Sequence, residues 1–201
     1  MASYLATATM GQFQLTDRTA DGIRYIDAID VDLVGTPTGN SAQGSFAREP
    51  EITAFLSSVF GPYPFAASGG IVDDTFAFGL ALENQTRPIY ARGFFSFPDS
   101  GTSVVAHELA HQRYGDSVAV DAWAHIWLNE GFATYAQWLW SEEDGGSTAD
   151  QIFTSGYSRS ANDPFWDLRI GNLGFNRLFD GAGLRPWGHD AARPARGDRR
   201  R

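Results

Sequence analysis

The strongest constraint this sequence places on its fold is a change of period at Thr102. Upstream, short apolar runs alternate with polar residues and are broken by Gly, Pro and Asp, the pattern of strands and turns. Downstream, Val104, Val105, Leu109 and Ala110 recur at helical spacing, and long helical stretches follow. Strands first and helices after predict an α+β fold rather than a doubly wound sheet. Strands are expected over residues 4–15 and 23–31, joined by an Asp21-Gly22 turn, and over 70–72, 76–82 and 89–95. Residues 35–48 read as loop, and a helix over 51–60 stops at Gly61-Pro62. Further helices are expected from Thr102 to near Gly115, over 128–140, and from a Ser147-Thr148 cap to about Tyr157.

Composition excludes several classes of function. The chain of 201 residues is 43% hydrophobic and 19% charged, enough to bury a core. It has no cysteine, so disulfides, zinc ribbons and thiol catalysis are ruled out. A net charge of −9 argues against a nucleic-acid partner held through phosphates. No apolar run is long enough for a membrane helix, and the N-terminus lacks the basic start and apolar stretch of a signal peptide. These absences favour a cytoplasmic location. All fifteen basic residues are arginine, and six lie in residues 183–201 against Asp190 and Asp198. That end carries +4 and residues 1–182 carry −13, an acidic body with a basic tail.

The chemistry concentrates in Val105-Ala-His107-Glu108-Leu-Ala-His111. Two histidines four apart share one helix face and can reach one metal ion. Zinc accepts neutral imidazole, and a catalytic site needs a third protein ligand plus an open position. Glu130, nineteen residues after His111 in Trp127-Leu-Asn-Glu-Gly-Phe-Ala, can return on the next helix as that ligand. Glu108 is then available as a general base. One zinc ion held by His107, His111 and Glu130, with Glu108 as base, describes a water-activating hydrolase. His125 reads as packed or solvated between Trp123 and Trp127. The tryptophans read as helix packing, and Asn129 and Thr134 as either capping or ligand-orienting residues.

At these residues the chain resembles the gluzincin zinc aminopeptidases of the aminopeptidase N and leukotriene-hydrolase type. The family signature, His-Glu-x-x-His, eighteen residues and a Glu within Trp-Leu-Asn-Glu-Gly-Phe-Ala, is present in full. Leu80-Ala-Leu-Glu83-Asn84 matches the last two positions of the family's Gly-x-Met-Glu-Asn loop. The resemblance implies a thermolysin-like catalytic domain and peptide substrates with a free N-terminus. Glu83, beside Asn84, is then the carboxylate that binds the substrate's α-amino group. Departures are Arg113 and Tyr114 in place of Trp-Phe, and Gln137 in place of a frequent glutamate. A gluzincin endopeptidase is the competing enzyme class, disfavoured by the Glu83-Asn84 pair.

The resemblance spans residues 4–182 and implies a fragment. Residues 1–34 read as the end of an N-terminal β-domain and 35–182 as the zinc-bearing part of the catalytic domain. Residues 183–201 read as a disordered, out-of-frame tail. Read one base out of register from about Gly183, the codons can encode Val-Tyr-Asp-Arg-Gly-Ala, which resembles the family segment whose tyrosine stabilises the oxyanion. Losing one such donor typically costs about a hundred- to a thousand-fold in rate. The alternative to an active aminopeptidase is therefore an impaired remnant that binds zinc at most.

Overall fold

A computed structural model describes residues 2–74, 79–98, 100–160 and 162–167. The basic tail, and the change of reading frame expected near Gly183, lie outside the described residues. The chain divides into two compact units, Met1–Ala119 and Val120–Arg201.

The first unit is built on a sheet that begins with a hairpin. Strands β1 (Phe13–Ala20) and β2 (Ile23–Asp30) pair antiparallel in full register, from Phe13 opposite Asp30 to Ala20 opposite Ile23. Asp21 and Gly22 join them with φ of 50° and 80°. Two successive positive φ values match the right-handed twist of the strands, and Asp-Gly is a favoured pair for that turn. A two-residue strand, β3 (Ala67–Ser68), pairs with β2. The sheet continues through β4 (Ile71–Asp73), parallel to β2, and β6 (Ile89–Ala91), parallel to β4, to β5 (Ala81–Leu82), which lies antiparallel to β6 at the far edge. Gly69 follows β3 at φ 135°, and a Cβ there would stand 2.1 Å from the Ile26 carbonyl oxygen, so only glycine fits.

Three expectations are corrected in this unit. The strand expected over 89–95 ends at Ala91, and Arg92–Phe95 turns into a 3-10 helix that buries Phe95. Residues 4–15 do not form one strand. Ser3–Leu5 is a 3-10 turn that buries Leu5, and the strand starts only at Phe13. Residues 35–48 are not loop: α1 spans Pro37–Ala47. Its Thr-Pro-Thr-Gly composition resembles a turn, yet Thr36 accepts a hydrogen bond from the Gly39 amide at 3.1 Å and Pro37 takes the first helical turn. Both are helix-start signals. Burial of Ala42, Ser45 and Phe46 then holds the helix to the unit.

The helix α2 (Glu49–Phe60) packs with α3 (Thr102–His111). Phe46, Tyr90 and Phe95 form a buried aromatic triangle with centroids 5.6–5.8 Å apart. Beneath the hairpin, Arg18 donates to Asp27, to the Phe46 carbonyl and to Glu49, which is fully buried. Burial, and next the neighbouring Asp27, push the Glu49 carboxyl well above its ordinary range.

The second unit contains α4 (Trp127–Glu143) and α5 (Ala149–Tyr157), each close to the expected span. Thr148 caps α5: its side chain accepts from the Gln151 amide, and the Gln151 side chain returns to the Thr148 amide. That reciprocal pair satisfies two of the donors a helix start leaves open. Among the described residues no helix is long and apolar enough to cross a membrane.

Candidate metal centre

Helix α3 carries His107, Glu108 and His111 for a local reason. Val105, Ala106, Leu109 and Ala110 are all buried, and the helical period that sinks them fixes where the other side chains fall. The two imidazoles lie one turn apart with centroids 4.8 Å from each other and Nε2 atoms 3.1 Å from each other. Two nitrogens bound tetrahedrally to one zinc at about 2.0–2.1 Å stand about 3.3 Å apart, so the pair suits a shared ion. His111 is almost fully buried, and its Nδ1 lies 3.0 Å from the Tyr114 carbonyl oxygen. A carbonyl can only accept, so Nδ1 carries the proton and Nε2 keeps its lone pair. The turn after α3 thus sets the tautomer a metal requires. Glu108 is buried beside them in sequence, 5% exposed.

Glu83 and Asn84 follow β5 and are also buried. Glu83 accepts a hydrogen bond from the Tyr4 hydroxyl at Oε1, 3.1 Å. Asn84 donates from Nδ2 to the Leu5 carbonyl at 3.0 Å. On the other side, Gln112 donates to the carbonyls of Glu83 and Asn84 at 3.4 and 3.3 Å and accepts from the Thr86 amide at 2.6 Å. The residue directly after His111 therefore anchors the loop that carries Glu83.

Asp116 joins this region without any signal in the sequence. It is 3% exposed, and neither carboxylate oxygen has a hydrogen-bond partner among the described residues. Burial pushes its carboxyl up to about 7; Glu83 adds to the rise and His111 opposes it. An Asp after Gly at the end of a helix reads as a turn residue, which gives no hint of this burial. Arg113 and Tyr114, where the resembled family has Trp-Phe, meet the end of α2. Arg113 donates to the Pro62 carbonyl at 3.2 Å and Tyr114 packs edge-on against Phe60 at 5.5 Å.

In the second unit, Glu130 lies in the first turn of α4, buried together with Asn129. Trp138 and Trp140 are buried in the same helix, in keeping with packing roles, whereas Trp123 is 46% exposed. His125 is half exposed, 3.9 Å from Asp121.

The peptidase family M1 domain matches residues 47–164, more than half of the chain. The chain belongs to peptidase family M1. It is 36% identical over 152 residues to rice Aminopeptidase M1-A, a match covering 69% of this chain and 16% of that protein. Human Aminopeptidase N is 30% identical over the same length, covering 69% of this chain and 15% of that protein. The chain thus spans about a sixth of the length of these relatives. Among solved structures, an M1 zinc metallopeptidase from Deinococcus radiodurans superimposes with a TM-score of 0.63 at 27% identity. That match covers 87% of this chain and 38% of the other. A mutant of that enzyme bound to a Tyr-Ser-Ala substrate is also similar, with a TM-score of 0.61 at 28% identity over 86% of this chain and 37% of that one. This M1 chain accordingly has the mixed α+β architecture of zinc metallopeptidases, and its relatives are aminopeptidases.

Proposed function

We propose that this M1 chain carries the metal and substrate-amine sites of an aminopeptidase. His107, His111 and Glu130 would hold one zinc ion, two imidazoles offered by α3 and a carboxylate offered by the first turn of α4. Two neutral imidazoles and a carboxylate are a donor set zinc accepts in hydrolases, with one position left for solvent. The observation that carries the reading is the convergence of the two Nε2 atoms at 3.1 Å, with the His111 tautomer set by Tyr114. Bound there, zinc supplies Lewis acidity and lowers the pKa of water toward about 7.

The rest of the chemistry belongs to the chain. Glu108, held on the same helix as the histidines, takes the proton from the attacking water and passes it to the leaving nitrogen. Glu83 binds the α-ammonium of the substrate and so selects peptides with a free N-terminus. Its burial strengthens that ion pair relative to one in open water. Asn84 helps to hold the Glu83 loop through its bond to Leu5.

The test combines metal analysis with two substrates, an aminoacyl anilide and its N-acetylated form. One zinc per chain is expected, lost in Glu130→Gln and in His111→Ala. Glu108→Gln should keep zinc and lose about a hundred- to ten-thousand-fold in turnover, the usual contribution of a general base. Hydrolysis of the acetylated anilide at the same rate would point to an endopeptidase and refute the role given to Glu83. Zinc binding without turnover is the result the impaired-remnant alternative requires.

A further inference from the structure

Glu83 is fixed by a part of the chain far away in sequence. The 3-10 turn Ser3–Leu5 meets the Glu83-Asn84 loop through two hydrogen bonds that span 79 positions each. One runs from side chain to backbone: Asn84 Nδ2 donates to the Leu5 carbonyl, and both residues are nearly inaccessible to solvent. This bond fixes where the turn sits against the loop. The other runs between side chains and ends on the carboxylate itself, from the Tyr4 hydroxyl to Glu83 Oε1. Gln112 holds the loop backbone from the side of α3 through three further bonds. The Glu83 backbone is therefore clamped from two directions, but among the described residues only Tyr4 hydrogen-bonds its carboxylate. Oε2 has no hydrogen bond among those residues.

We infer that Tyr4 is a positioning residue for substrate-amine recognition: its hydroxyl holds Glu83 Oε1 so that Oε2 is presented to the ammonium group. The inference rests on Glu83 as the amine-binding carboxylate. A glutamate side chain has three rotatable bonds, and an ion pair made by a free rotor must order that rotor on binding. A hydroxyl donating to one oxygen removes that freedom before the ligand arrives. It also leaves the other oxygen's lone pairs for the ligand, because a carboxylate accepts at both oxygens and donates at neither. Tyrosine is well suited to this role, since its rigid ring keeps the hydroxyl at a fixed distance from a backbone already anchored through Leu5.

The probe is phenylalaninamide, with N-acetylphenylalaninamide as the amine-blocked control, titrated by calorimetry into the zinc-loaded chain. Tyr4→Phe removes one oxygen and keeps the ring. Phenylalaninamide should then bind about 3- to 10-fold more weakly, on the scale of the net contribution of one ordinary hydrogen bond, because the carboxylate itself is kept and only its positioning is lost. Binding of the acetylated control and the affinity for zinc should stay unchanged. Glu83→Gln should remove the preference for the free amine altogether. If Glu83→Gln removes that preference while Tyr4→Phe leaves it intact, the inference fails and the role of Glu83 stands. If Glu83→Gln keeps the preference, or the unaltered chain itself shows none, both fail together. If Tyr4→Phe weakens zinc and phenylalaninamide in parallel, Tyr4 is a packing residue and the inference is overturned.

Discussion

Replacing Asp116 by Asn should make the first unit's stability less sensitive to pH, and the size of the effect follows from the site. Asp116 is buried, neither of its oxygens is hydrogen-bonded among the described residues, and its carboxyl titrates at about 7 against an ordinary 3.8. Between those values the folded chain keeps a proton that the unfolded chain has released. Stability must therefore fall as pH rises from about 4 to about 7, and this contribution is flat above. A rise of 7 − 3.8, or about 3 pH units, at about 1.4 kcal/mol per unit, gives about 4 kcal/mol of lost stability at pH 8. Asn cannot ionise and escapes that loss. Urea unfolding of both chains at pH 4, 5, 6, 7 and 8, with a chelator present, measures the difference directly. Any constant effect of the amide cancels, because only the change of the difference with pH counts. The advantage of Asp116→Asn should grow by about 4 kcal/mol across the range and level off near pH 7. A difference that stays flat, or that shrinks toward pH 8, would refute the argument that burial keeps this carboxyl protonated.

Two further outcomes are expected. The Arg18–Asp27–Glu49 cluster should also weaken with alkali, because burial, and next Asp27, raise the Glu49 carboxyl and the proton it keeps is lost as pH rises through the folded value. Glu49→Gln should flatten that part of the pH profile, and denaturation curves at pH 5 and pH 9 that keep the parent's spacing would count against it. In the second unit, Thr148→Ala removes the cap of α5 and should cost about 0.5–2 kcal/mol in unfolding free energy. Thr148→Ser should recover most of that, since a serine hydroxyl can accept the same amide.

Features encoded within a few residues are legible in the sequence. The i, i+4 spacing of His107 and His111 puts two imidazoles on one helix face wherever that helix forms, and the buried Val105, Leu109 and Ala110 ensure that it forms. The Thr148 cap and the Asp21-Gly22 turn are likewise local, and both are found where the residues place them. The α+β class follows from the change of period at Thr102. Residues 35–48 are the counter-example. Glycine, proline and threonine suggest a loop there, while burial of Phe46 against Tyr90 and Phe95, far along the chain, favours a helix.

Only the tertiary structure decided how the candidate site is supported. Tyr4 reads as part of a strand, and nothing near it in sequence says that its hydroxyl ends on Glu83, 79 positions away. The bonds from Gln112 to the loop after β5 and the burial of Asp116 have the same character. Local periodicity reports which face of an element is apolar. It carries no information on which distant polar group will meet a given donor once those faces are packed, and that pairing orients the Glu83 carboxylate.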